Sequence, residues 1–186
     1  MKNLLLLLAT MVTLSACIPT EKPQGRQAQI ESKTRDYFVT YAERKDFSKL
    51  LSFYNEDMIF HDVALQLRLD SLWKFERFYN WNDTLGNFRV AEPGGPALIV
   101  DHLLANDSLA VVQGRFTPFY YYGQLVDPPT GFEMTIWLEF DENLKIIKHT
   151  DWIEYPPSMM QNVINRIEKH GHERLPDWLD LSNPPK

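Results

Sequence analysis

Residues 132–140 place Phe132, Met134, Ile136, Leu138 and Phe140 on one parity and Glu133, Thr135, Trp137 and Glu139 on the other. A two-residue apolar period sustained over this stretch fits a strand with one dry face and fits no helix. The pattern has neighbours. Strand-forming runs cover 97–105, 108–122 and 144–155, and Asn106-Asp107 and Asp141-Glu142-Asn143 supply turn chemistry between adjacent runs. Strands joined this tightly pair antiparallel, because parallel pairing needs a long crossover. In 144–155 one face carries Ile147, His149, Asp151, Ile153 and Tyr155, and the other carries Ile146, Lys148, Thr150, Trp152 and Glu154. The first face is the more apolar and is expected to point inward, which makes His149 and Asp151 polar groups in a dry wall. In 108–117, Arg115 shares a face with Leu109, Val111 and Gln113.

Helical periodicity precedes this block. From about 28 to 44 the apolar track is Ile30, Thr34, Tyr37, Phe38 and Tyr41, with Glu31, Lys33, Arg35 and Glu43 on the wet side. A second helix is expected over 46–54, capped by Asp46 and striped by Phe47, Leu50, Leu51 and Tyr54. Met58–Leu65 reads as a first strand, and 70–80 as a third helix with Asp70 as its cap. The stretch 81–96 is turn-rich, with a short strand near 87–91. Pro156-Pro157 stops the last long strand; a helix near 158–170 and a loose tail at 183–186 follow. Helices and one strand, then consecutive antiparallel strands, predict an α+β fold with helices on one face of a curved sheet. At 186 residues a single core suffices. With 25 acidic against 19 basic residues, the net charge of −6 gives no basic footprint for nucleic acid.

Residues 1–16 stand apart from the fold. Lys2 is followed by the apolar run Leu4–Leu8, continuing through Ala9, Met11 and Val12. This is shorter than the roughly 20 apolar residues of a spanning helix and matches a secretory signal. It ends in Leu14-Ser15-Ala16-Cys17, which resembles the lipobox of bacterial lipoproteins. The resemblance implies cleavage before Cys17, lipid on that residue, and attachment to a membrane through it. Ile18, rather than Asp, follows the cysteine, which by the same resemblance favours the outer membrane, facing the periplasm or the surface. Lipidation would consume the single cysteine, leaving no disulfide and no thiol nucleophile. Residues 17–27, polar and carrying two prolines, read as the lipidated residue and a tether.

Three stretches resemble the SnoaL-like branch of the nuclear transport factor 2-like superfamily. They are Phe53-Tyr54-Asn55-Glu56-Asp57-Met58-Ile59-Phe60-His61-Asp62, the antiparallel run containing Gly114, and Lys145-Ile146-Ile147-Lys148-His149-Thr150-Asp151-Trp152-Ile153-Glu154-Tyr155-Pro156. The match covers about 28–157, with 158–186 as a C-terminal helix and tail. It implies a cone: a bent sheet wrapped round helices, with an interior pocket and homodimerisation through the sheet. Such folds host isomerases, dehydratases, epoxide hydrolases, polyketide cyclases and proteins with no chemistry, so function rests on the site.

Asp62 falls where the resemblance places the general base of ketosteroid isomerases, on a strand face shared with Phe60 and Ala64. A carboxylate works as a base when burial lifts its pKa toward working pH. The rest of that isomerase site is missing: its oxyanion tyrosine falls at Phe38 and its acid donor at Ile136. Tyr37 or Tyr41 would have to substitute. Limonene epoxide hydrolases use two aspartates and an arginine, and Asp62, Asp151 and Arg115 are the right types. His149 is a further catalytic candidate. The ligand-binding candidates are Tyr37, Phe38, Tyr54, Phe60, Arg115, Ile136 and Trp152. His61 and Asp62 point to opposite strand faces, so no metal site is expected, and no cofactor. There is no phosphate-binding glycine loop, no Gly-x-Ser-x-Gly and no His-Glu-x-x-His. Two readings remain: a module that binds a small hydrophobic molecule or serves assembly, and a cofactor-independent lyase, isomerase or hydrolase with Asp62 as base.

Overall fold

The computed structural model describes residues 25–81, 88–121, 123–127, 132–172, 174–176 and 179–183. The signal segment, Cys17 and most of the tether lie outside the described residues, as do 184–186 of the expected tail. The elements run α1 (Arg26–Glu43), α2 (Phe47–Leu51), β1 (Tyr54–Asp62), β2 (Leu67–Leu69), α3 (Leu72–Tyr79), β3 (Arg89–Val90), β4 (Leu98–Ala105), β5 (Leu109–Phe116), β6 (Phe119–Tyr121), β7 (Gln124–Val126), β8 (Phe132–Phe140), β9 (Ile146–Ile153) and α4 (Pro157–His170). Six strands form one sheet in the order β2-β1-β9-β8-β5-β4, and β3-β6-β7 form a second. All pairs in the large sheet are antiparallel except β1 with β9.

The expected turn chemistry closes the hairpins. Asn106 Oδ1 accepts the N–H groups of Ser108 and Leu109 between β4 and β5. Asp141 Oδ1 accepts those of Asn143 and Lys145 between β8 and β9. Asp46 caps α2 by accepting from the Lys49 N–H at 2.8 Å. The inner face of β8 is the five-residue set read from its alternation, all buried. α1 lies over β4 and β5, and α3 over β1.

Several expectations are corrected. Tyr54 opens β1 rather than ending the second helix, and β1 stops at Asp62, where the chain turns. Ser71 holds the cap position of α3, while Asp70 pairs with Lys74 at 2.5 Å. The run 108–122 is two strands, because Thr117-Pro118 interrupts the ladder and proline brings no N–H. The next short strand, β7, is absent from the sequence reading. In β9 a bulge pairs Phe140 with Ile146 and Glu139 with Lys148. Ile146 therefore points inward and Ile147 is 38% exposed, the reverse of the simple alternation. Downstream of α4, Leu179 is buried and Leu175 and Leu181 pack against the core.

Gly114 explains how β4 crosses β5 so closely. A Cβ there would stand 2.1 Å from the Ile99 carbonyl oxygen and 3.1 Å from the Met134 side chain. The neighbouring backbone cannot yield as a flexible side chain would. Gly114→Ala is therefore expected to cost about 3 kcal/mol or more, read as a lower midpoint in chemical denaturation. An unchanged midpoint would show that β4 separates from β5 at little cost.

Candidate functional site

Asp62, the last residue of β1, is the register partner of Asp151 in the parallel β1–β9 pairing. Their rung runs Val112, Ile136, Asp151, Asp62 and Leu67 across five strands, and the next runs Ala110, Leu138, His149, Phe60 and Leu69. All ten side chains are buried. Alternation thus sets two carboxylates and an imidazole into an otherwise apolar sheet face, with Asp62 and Asp151 only 0% and 1% exposed.

A hydrogen-bonded chain enters from α1. The Tyr37 and Tyr54 hydroxyls are 2.7 Å apart, and the Tyr54 hydroxyl is 2.7 Å from His149 Nδ1. When Tyr54 donates to Nδ1, the ring proton sits on Nε2, which is 2.6 Å from Asp151 Oδ1. That is a close polar contact rather than an aligned hydrogen bond, and among the described residues neither atom has another hydrogen-bond partner. The Tyr79 hydroxyl approaches Asp151 Oδ2 at 3.4 Å. Asp62 is held separately: the Tyr155 hydroxyl donates to Oδ2 at 2.5 Å and the Leu65 N–H to Oδ1 at 2.8 Å.

The electrostatics follow from burial. Burial first, and the Asp151 charge second, push the Asp62 carboxyl up to about 7, against the pull of the Tyr155 and Leu65 donors. Burial, with the Asp151 charge adding to it, holds the hydroxyls of Tyr37, Tyr54, Tyr79 and Tyr155 well above the usual tyrosine range. Tyr41 is pushed up to about 12 by the same burial. Around Asp151 the tyrosines are therefore protonated donors at any working pH. Near neutrality the carboxyl of Asp62 can both give and take a proton.

The structure brings Tyr37, Tyr54, Phe60, His149, Asp151 and Asp62 together, with Ile136 beside Asp151 in the rung. Phe38 stands edge-on to Tyr37 with ring centres 5.0 Å apart. Arg115 and Trp152 are elsewhere. Gly114 and Asp151 face in, so the residues after them face out. Arg115 binds both oxygens of Asp101 on the outer surface. Trp152 is 54% exposed and lines an outer groove of about 260 Å³ with Gln113, Glu133, Thr135 and Glu154. The Asp–Arg–Asp arrangement is thus not formed. The space expected as an interior pocket holds packed rings, with Phe75 4.2 Å from Tyr79, 4.7 Å from Tyr54 and 5.2 Å from Phe60. Sequence reasoning missed Tyr79 and the Leu65 amide. It placed Tyr155 inward by parity and gave it no role.

No protein-family model and no curated protein matches the chain. Solved structures do. One from Shewanella putrefaciens CN-32, described as a SnoaL-like polyketide cyclase, is 19% identical with a TM-score of 0.53, covering 86% of this chain and 98% of that one. A second with the same description, from Shewanella denitrificans OS-217, is 15% identical with a TM-score of 0.51, covering 74% and 97%. A nuclear transport factor 2-like protein from Anabaena variabilis ATCC 29413 is 10% identical with a TM-score of 0.53, covering 74% and 96%. These likenesses establish the architecture: the chain has the α+β cone of the nuclear transport factor 2-like fold.

The raised Asp62 carboxyl fixes the sign of a pH effect. The unfolded chain releases this proton near 3.8 and the folded one near 7, so stability falls as pH rises between them. Asp62→Asn carries no charge and keeps one oxygen, which can accept from the Leu65 N–H while its amide N–H faces the Tyr155 hydroxyl. Thermal melts at pH 5 and pH 8 should show a shallower loss in Asp62→Asn, with the variant at least as stable as the parent at pH 8.

Proposed function

We propose that this is a lipid-anchored binding domain whose cone takes a small apolar molecule, with the Asp62–Asp151 pair as its polar end. One observation carries the reading: two carboxylates share a rung deep in an aromatic interior. As pure architecture this is a poor choice, since replacing buried charged groups by packed apolar ones is often neutral or stabilising. Phe60, Phe75 and Tyr79 offer flat walls. A carboxyl beside a carboxylate offers one donor and several acceptors, which suits a hydroxyl or carbonyl on the ligand. The Leu14-Ser15-Ala16-Cys17 sequence supports the anchor.

A second reading, a cofactor-independent acid–base enzyme, is favoured by the Asp62 carboxyl standing near 7. Asp62 would then move the proton and Asp151 would stabilise charge beside it.

A thermal-shift screen of small apolar compounds bearing one hydroxyl or carbonyl separates these readings. Binding is expected to raise the melting temperature, and Asp62→Asn to weaken the affinity about ten-fold, the worth of one buried hydrogen bond to a charged group. Turnover lost in Asp62→Asn would favour the second reading. A screen with no stabilising compound, and no turnover, would remove both. For the anchor, Cys17→Ser is expected to abolish incorporation of labelled fatty acid and to move the protein out of the membrane fraction.

A further inference from the structure

Both oxygens of Asp62 are held by residues that adjoin or contact the C-terminal helix. Oδ2 accepts from the Tyr155 hydroxyl, and Tyr155 lies two residues ahead of Pro157, where α4 begins. Oδ1 accepts from the Leu65 N–H, and the carbonyl of the same Leu65 accepts from Arg166 Nη2 of α4 at 2.6 Å. We propose that α4 is a lid that positions Asp62: docked, it fixes both carboxyl oxygens and closes the site; released, it exposes them. This rests on Asp62 being the polar end of a ligand site.

The seating of α4 is thin, resting on Val163, Ile167 and the Arg166 bond to the Leu65 carbonyl. Val163 is its one buried residue, while Met159 and Ile164 are 42% and 45% exposed. Among the described residues the buried Nε of Arg166 has no hydrogen-bond partner, so docking leaves that donor unmatched there. Its link to β9 is Glu154-Tyr155-Pro156, and Pro156 with Pro157 at the helix start gives two consecutive residues without an N–H. The chain returns to the core at Leu179 after α4, so the helix is held at both ends and thinly in between, and an element with few buried contacts opens before the strands of the core. The groups facing Asp62 are Asp151 from β9, Tyr155 after it and the Leu65 amide of the β1–β2 turn. His149 and Tyr79 (α3) act on it only through Asp151, and Arg166 (α4) only through the Leu65 carbonyl.

Hydrogen exchange on the purified protein without ligand tests this. Residues 157–170 should exchange faster than 132–140. Arg166→Ala should raise exchange of 63–66 and 157–170 together, by about ten-fold or more, without changing 132–140. Arg166→Lys, which keeps a donor for the Leu65 carbonyl, should restore the parent rates. The carboxyl carbon shift of Asp62, followed by NMR against pH, gives a second readout. Arg166→Ala should lower its midpoint, because burial is the largest cause holding it up. Tyr155→Phe should raise it, because a donor is lost while the helix stays docked. The proposal is overturned if 63–66 and the Asp62 midpoint do not respond to Arg166→Ala, or if 157–170 open only with the whole molecule. Should Arg166→Ala fail to fold, Val163→Ala, which loosens the seating of α4 and leaves every partner of Asp62 in place, takes its role, and unchanged exchange of 63–66 together with an unmoved Asp62 midpoint in that variant overturns the proposal. These measurements need no ligand, so a failed ligand screen leaves them standing, and their failure leaves the binding reading standing.

Discussion

The parallel pairing of β1 with β9 decides the chemistry of this fold. It sets Asp62 directly beside Asp151 on the inner face. Two like charges in one rung, out of water, cannot both be ionised cheaply. Much of what surrounds them answers that problem. Tyr79 and His149 approach Asp151, while Tyr155 and the Leu65 amide serve Asp62. The response is divided: Asp151 receives an imidazole backed by two tyrosines, and Asp62 receives neutral donors and has a raised affinity for its proton.

The aromatic packing makes the same point in steric terms. Phe60, Phe75, Tyr54 and Tyr79 crowd the space in front of the two aspartates. A ligand of the proposed kind would have to part these rings to reach them. Selection would then rest on shape and on the fit of one polar group.

Period-two patterning made the sheet legible from residues alone. Phe132 to Phe140, and the placing of His149 and Asp151 inward, needed only alternation and turn residues. Alternation failed at Ile147, because a bulge adds a residue that shifts parity without leaving a local composition signal. Turn chemistry located the hairpins but not the end of β1, where Asp62 takes the Leu65 amide and turns the chain. Asp62 and Asp151 could be chosen by type and parity. Their sharing a rung could not, since β1 and β9 are far apart in sequence and their register is set by packing. Arg115 shows the cost of choosing by type alone: the right chemistry sits on the wrong face, held by Asp101. Tyr79 and Arg166 carried no signal, because each joins the site through the packing of its helix.

Arg26 opens α1 and reaches across both hairpins at one end of the sheet. Its guanidinium donates to the carbonyls of Asp107, Glu142 and Asp141 at 2.7, 3.1 and 2.5 Å. Asp62 lies toward the other end, where a rise of five residue steps along β9 takes Ile146 to the Asp151 rung, roughly 17 Å. A pull on the chain ahead of residue 25 therefore enters the domain through three charge-assisted bonds to two turns. In mechanical terms, tension applied there would be spread over four strands before it reached the acidic pair. If the proposed anchor holds the chain ahead of residue 25, the interior geometry would be kept under load.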